Sequence, residues 1–235
     1  MSFESWEDRA LAKKDASPRI DMHIHTWYSP DASVDPAKIN DVLRAKQLDG
    51  VAIVDHDTFK GCLEARKNTE KIVVPGMEIS TSSGEILALF LQEEIHEKEL
   101  AVVVDKVREQ GGLVILPHPF DLFRKRTFHV DRFSRRELRE MVDAIEVLNS
   151  RCLLNYFNDK ARRLADDLVK PATAGSDAHT SYEIGRSYTI FDQADSLEDA
   201  RKAVMNGATM PAGGLSPFFV HFFSTLRKHH LMMNM

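Results

Sequence analysis

The chain has 235 residues, 43% of them hydrophobic and 29% charged, with a formal net charge of −5 at pH 7. These are the proportions of an ordinary globular protein, and the negative balance excludes a global attraction to nucleic acid or anionic membranes while allowing a local basic patch. Its two cysteines, Cys62 and Cys152, lack CxxC spacing, which argues against a disulfide framework and a thiolate zinc site.

Residues 1–18 read as a charged N-terminal arm without the apolar centre of a signal peptide. No apolar run approaches the ~20 residues that span a bilayer. A cytoplasmic protein with no membrane partner is therefore expected.

From Arg19 onward, strand-like apolar runs alternate with helical patterns. "RIDMHIH" is followed by "DPAKINDVLRAKQLDG", where Asp35 caps, Pro36 suits the first helical turn and Gly50 ends the helix. "VAIVDHD" precedes a helical "FKGCLEARKN", and "KIVVPGMEIST" and "EILALFL" follow as strands. "EKELAVVVDKVREQGG" predicts a helix stopped by glycines, and "LVILPHPF" a buried strand. "SRRELREM" opens with a capping box, Ser134 with Glu137. "AIEVLNSR", a helix near Asn155 to Leu168, "ATAGSDAH", "SYTIF" and the capped helix "SLEDARKAVMNG" complete the pattern.

Strands apolar on both faces that alternate with helices imply a parallel sheet covered by helices. About seven such units predict an α/β barrel formed by a single domain, residues 19–213. The segment 214–235 reads as a C-terminal tail or helix, either docking on the barrel or forming a dimer contact.

The strands end in ligand-type residues. His23 and His25 alternate along one strand face at the end of the first strand. His56 ends the second strand, Glu78 the third, His118 follows "LVILP", Asn149 ends "AIEVL", and Asp177 and His179 follow "ATAG". In a parallel barrel the C-terminal strand ends share one face, which carries the chemistry. Singly, each residue has a plainer explanation. Asp55 or Asp57 could cap a helix, and His118, between two prolines, could shape a turn. Jointly, so many buried histidines and carboxylates would carry a large desolvation cost unless a cation compensates it. Imidazole–carboxylate sets suit manganese, zinc or iron, without choosing among them.

"DMHIHTWYSPD", "VDHDT", "PGMEIS", "LPHP" and "GSDAHT", in this order, resemble the motifs of the polymerase and histidinol phosphatase (PHP) superfamily of metal-dependent phosphoesterases. The resemblance covers about residues 19–213. It implies a distorted seven-stranded (β/α) TIM-like barrel holding two or three divalent metal ions at the C-terminal strand ends. It implies that His23, His25 and Asp177 hold a first metal, and that Asp31, His56 and His179 hold a second. Glu78 would bridge to a third metal that also takes His118. His56, Asp177 and His179 are the catalytic candidates, around a metal-bound hydroxide.

Members of the superfamily commonly carry a further histidine after the "ExS/T" strand or at the end of the "IEV" strand. Here those positions hold Glu85 and Asn149: either completes the third site as an oxygen ligand, with Glu85 the metal-ligand candidate and Asn149 also a substrate-binding candidate, or that site is weak or empty. Asp21, two residues before His23, is a candidate to orient an imidazole, and Asp55 the same near His56. For substrate phosphate, Arg151 beyond the strand end is the first choice and Arg186 the second, because a guanidinium fork suits phosphate. "FDLFRKRTFHVDRFSRRELRE" interleaves basic and aromatic residues after His118; it either covers the barrel top or holds a single strand of nucleic acid.

The expected activity is phosphoester hydrolysis on nucleotides or nucleic-acid ends, including 5′–3′ exonuclease action. A small-metabolite phosphatase of the histidinol phosphate type is the enzymatic rival, and a non-catalytic metal-binding PHP module the other. The partners expected are a phosphorylated small molecule, a nucleotide or a single-stranded nucleic-acid end. The oligomeric state is not legible.

Overall fold

The computed structural model describes residues 17–218 and residue 220. Most of the expected arm (1–18) and tail (214–235) lies outside these residues.

Nine strands form one sheet among the described residues: β1 (Arg19–Ile24), β2 (Gly50–Ile53), β3 (Ile72–Thr81), β4 (Gly84–Leu89) and β5 (Leu113–Leu116), then β6 (Ala144–Asn149), β7 (Ala172–Gly175), β8 (Ser187–Phe191) and β9 (Thr209–Gly213). Their order is β7-β6-β5-β4-β3-β2-β1-β8-β9. Six helices connect them: α1 (Ile39–Lys46), α2 (Lys60–Ala65), α3 (Leu100–Glu109), α4 (Arg135–Met141), α5 (Asn155–Leu168) and α6 (Leu197–Met205).

The expectation of seven strands is corrected to nine, and the sheet is mixed. β1–β2–β3 and β5–β6–β7 are parallel, whereas β4 runs antiparallel to both its neighbours and β8 and β9 run antiparallel at the other edge. An apolar run gives a strand's burial but not its direction. The direction of β4 is set by the two-residue hairpin between Thr81 and Gly84. Gly84 has φ +112°, and a Cβ there would lie 2.4 Å from Phe128 Cα, so the turn requires glycine.

The sheet curls until its ends nearly close. Thr189 Oγ1 of β8 accepts from Ala174 N of β7 at 2.8 Å, and Thr209 Oγ1 of β9 donates to Ala172 O at 2.9 Å. Side-chain hydroxyls thus stand in for a ladder between β7 and the β8–β9 edge. Beyond the end of β7, Asp177 N donates to His23 O at 2.7 Å. This is an α/β fold with a nearly closed, barrel-like sheet.

The helices follow from local sequence. Ser134 and Glu137 form a complete capping box at α4, and Ser196 caps α6 through Asp199 N. Such caps are worth roughly 1 kcal/mol each. α5 buries Phe157, Ala161, Leu164, Ala165 and Leu168, one face at helical spacing, and stops at Val169 with φ 52°. A large apolar cluster lies under α1, α3 and α5, and a smaller one joins the sheet to Ala200, Ala203 and Val204 of α6. No described helix is long and apolar enough to cross a membrane.

Candidate metal centre

The parallel strands direct their C-terminal ends to one side, and five histidines meet there. Glu78, fully buried at the end half of β3, is the hub. Its Oε2 lies 3.3 Å from His25 Nε2, 3.1 Å from His56 Nδ1 and 3.7 Å from His23 Nε2. Its Oε1 lies 3.1 Å from His118 Nε2. Asp177 Oδ1 sits 3.4 Å from His25 Nε2 and 3.6 Å from His23 Nε2. Asp31 Oδ1 closes the other side, 3.6 Å from His56 Nε2 and 3.5 Å from His179 Nε2.

Three of the rings, those of His23, His25 and His179, have their outward nitrogens tied down, which aims the inner ones. His23 Nδ1 lies 3.0 Å from Glu146 Oε1, and His179 Nδ1 2.8 Å from the Asp177 carbonyl. His25 Nδ1 lies 3.2 Å from Ser29 Oγ, whose hydroxyl donates to Asp55 Oδ1 at 2.7 Å. Asp55 also accepts from Thr26 N and Thr26 Oγ1, both at 2.6 Å. Thus Asp55 steadies His25 through Ser29, and reaches His56 through the same hydroxyl, which accepts from His56 N at 3.0 Å. His118 and Asp177 have positive φ, 29° and 54°. Two non-glycine residues in this region of backbone space place strain where ligand-type side chains converge.

Charge at the centre is finely balanced. Burial opposes ionisation of Glu78 and Asp177, yet His23 beside the first and Arg124 and His23 beside the second hold both pKa values well below the usual carboxylate range. Burial likewise opposes charge on His25, but the Asp177 and Glu78 carboxylates facing its Nε2 raise its pKa to about 9. His179 goes the other way: burial, then Arg151, lowers it to about 3, leaving a neutral imidazole. Burial and the nearby Glu78 push Glu85 up to about 8.

These residues fit divalent cations. Glu78 Oε2, Asp177 Oδ1 and His56 Nδ1 are buried without a hydrogen-bond partner among the described residues, although each faces the cluster. Lone pairs of like type converging in a buried space are costly unless a cation sits between them. Donor atoms within 4.8 Å of one another form four triads: His25–His56–His179, His23–His118–Asp177, His23–His25–Glu78 and His56–Glu78–Glu85. Proximity therefore groups Glu85 with His56 rather than with His118.

The substrate candidates are placed differently from expectation. Arg151 is buried, and its Nη1 pairs with Glu183 Oε1 at 2.8 Å. Glu183 in turn accepts from His179 N at 3.1 Å, so this pair supports the His179 loop. Arg186 stacks on the exposed Tyr182 ring at 4.8 Å. Asn149 donates to Glu146 Oε2 at 2.9 Å and to Asp177 Oδ2 at 3.2 Å, and its Oδ1 accepts from Arg151 N at 2.9 Å. Its amide is spent on positioning Asp177. Asp21 reaches His23 through the backbone, accepting from His23 N at 3.3 Å, and also accepts from Ser176 N and Gly185 N, both at 2.8 Å, so it anchors the loop beyond β7 to β1.

Two residues went unassigned from sequence. Glu146 is the only charged residue in the apolar strand "AIEVLN", a signal that could have flagged it. Arg124, seen only as part of a basic run, pairs through Nη2 with Asp177 Oδ2 and through Nε with Asp121 at 3.0 Å. Nothing local in the sequence marks that contact.

Comparisons with known proteins agree with this geometry. The family model described as PHP-associated matches residues 155–209. The uncharacterized protein MJ0417 of Methanocaldococcus jannaschii is 37% identical over 179 residues, covering 74% of this chain and 71% of that protein. A two-domain protein of Bacteroides vulgatus containing a predicted PHP-like metal-dependent phosphoesterase superposes with TM-score 0.69 and 19% identity, over 85% of this chain. Endonuclease Q, in complex with a 27-mer duplex bearing an abasic lesion, superposes with TM-score 0.62 and 18% identity, over 84% of this chain. The chain spans 65% and 60% of those two longer structures. With the ordered motifs and the cluster they form, these likenesses lead to one assignment: the chain belongs to the PHP superfamily.

Proposed function

We propose that the chain is a metal-dependent phosphoesterase acting on nucleotides or nucleic-acid ends. The observation that carries this reading is Glu78, a buried carboxylate ringed by His23, His25, His56 and His118. His23, His25 and Asp177 would hold one ion and Asp31, His56 and His179 a second, with Glu78 between them. Glu85, in reach of His56 and Glu78, would serve a third, with His118 on the other oxygen of Glu78. Divalent ions so held activate water at neutral pH and neutralise charge on phosphoryl oxygens.

The protein's own groups supply the rest. Neutral His179 is in the form that ligates a cation. Arg124 binds one oxygen of Asp177, turns the other toward the cluster, and sets a guanidinium beside the arriving phosphate. The nucleic-acid preference is supported by the likeness to endonuclease Q, seen on DNA.

Metal analysis followed by a panel of nucleoside monophosphates, dinucleotides, histidinol phosphate and 5′-labelled oligonucleotides tests the reading. Metal-dependent phosphate or nucleotide release is expected. A folded protein that stays metal-free after loading with manganese, zinc or iron would overturn it.

A further inference from the structure

Next to the metal centre, residues of the segment 119–133 line, together with Arg135 and Leu138 of α4 and Lys160 and Leu164 of α5, a half-open cavity of about 560 Å³. This lies within the roughly 300–1,000 Å³ of small-molecule sites. The chain as a whole is negative, yet this cavity is lined by Arg124, Lys125, Arg135 and Lys160 against the single carboxylate of Asp131. Arg124 and Arg135 are paired with Asp177 and Asp167. Lys125 and Lys160 make no ion pair among the described residues. Instead the Lys160 ammonium lies 4.5 Å from the Phe120 ring centroid and 5.7 Å from that of Tyr156.

Arg124 joins this cavity to the metal centre, since the same side chain lines the one and bonds Asp177 in the other. A substrate with its phosphate at the metal centre would extend its organic part past Arg124 toward the Phe120 ring, which the movable Lys160 side chain now covers, and toward Lys125. A sugar phosphate alone has no flat surface to present to Phe120. A nucleobase has one, and stacking on an aromatic ring together with a nearby cation is how such bases are held.

We propose that this cavity receives the nucleobase of a substrate whose phosphate sits at the metal centre. The proposal rests on the phosphoesterase reading for the position of the phosphate. Its test is equilibrium binding to the metal-loaded protein of two phosphonate analogues, of adenosine 5′-monophosphate and of ribose 5-phosphate, each with a methylene in place of the ester oxygen so that neither is hydrolysed.

The adenosine analogue is expected to bind at least tenfold more tightly. Lys160→Gln should remove most of that advantage while melting like the wild type, and Phe120→Ala should do the same if it folds. Equal affinity of the two analogues for the wild type, no binding of either at millimolar concentration, or a Lys160→Gln protein that retains the full advantage would each overturn the proposal. Hydrolysis of adenosine 5′-monophosphate is scored separately. Selective binding with no turnover of any compound in the panel would sink the phosphoesterase reading and leave the base pocket standing.

Discussion

Glu146 Oε1 lies 3.0 Å from His23 Nδ1, while its Oε2 accepts from His118 N at 3.0 Å. One buried carboxylate in β6 therefore fixes a ring from β1 and the backbone beyond β5. Glu146→Gln keeps the shape but removes the charge that favours His23 Nε2 as a ligand, and turns an amide N–H toward groups that themselves donate. Metal affinity should fall about 10–100-fold, the usual consequence of losing such an outer partner. Titration of the stripped protein with manganese or zinc reads this directly; unchanged affinity would show that Glu146 serves packing alone.

Much of this was legible in the sequence, and the gaps have physical causes. The spacing of His23 and His25 gave a shared strand face, and Ser134 with Glu137 gave a helix start, because both are local relations. Strand direction is not local: β4 and β8 carry the same apolar pattern that a parallel strand would, while β9, TMPAG, has no apolar run to mark it. Arg151 stood next to a strand end, as a phosphate anchor should, but Glu183, 32 residues on, claims its guanidinium. Arg124 reaches Asp177 across 53 residues, through a loop whose path no periodicity encodes.

Substitution should separate these two arginines. Arg151→Ala leaves Glu183 buried without its cation, and loss of one partner of a buried pair typically costs about 3–5 kcal/mol. The three hydrogen bonds that Glu183 also accepts from His179 N, Thr180 N and Thr180 Oγ1 place the expected loss at the lower end. Arg124→Lys should instead lower kcat/KM by roughly tenfold to a hundredfold through loss of a charge-assisted fork, with little change in stability. Denaturant midpoints and kinetics on the same preparations would show a reversed pattern if Arg151 were the anchor.

Gly175 tests how tightly the centre is built. A Cβ there would fall 2.3 Å from His23 Cβ and 3.0 Å from Glu146 Oε1. No rotamer of alanine relieves that overlap, so either β1 or β7 must shift. Gly175→Ala should cost about 1–3 kcal/mol and weaken metal binding as well. A variant of wild-type stability and metal affinity would show that the two strands separate without consequence.

Metal removal should reveal the same coupling from the other side. A cation that binds only the folded chain stabilises it by about 2.7 kcal/mol at a hundredfold excess over Kd. Adding manganese or zinc to stripped protein should raise Tm in a concentration-dependent way. Asp177→Asn should blunt that rise and abolish phosphate release, because Asp177 Oδ1 faces both His23 and His25. An equal rise in the variant would remove Asp177 from the ligand set.

Glu85 gives a test in which two effects have opposite signs. Its side chain is buried, it stands in a donor triad with His56 and Glu78, and burial plus Glu78 raise its pKa from 4.5 to about 8. A folded-state pKa above the unfolded one means that the metal-stripped protein loses stability as pH rises from about 4.5 toward 8. Glu85→Gln removes that loss, so the stripped variant should be more stable than the stripped wild type at pH 8 and no more stable at pH 4. With metal present the order should reverse, because a carboxylate that is costly alone becomes a ligand beside a cation. Metal stoichiometry should fall by up to one in Glu85→Ala, and Glu85→His should restore it with preference moved from manganese toward zinc. Glu85→Ala with wild-type stoichiometry and no pH-dependent stability gain in Glu85→Gln would place the third ion, where one binds, on Glu78 and His118 without Glu85.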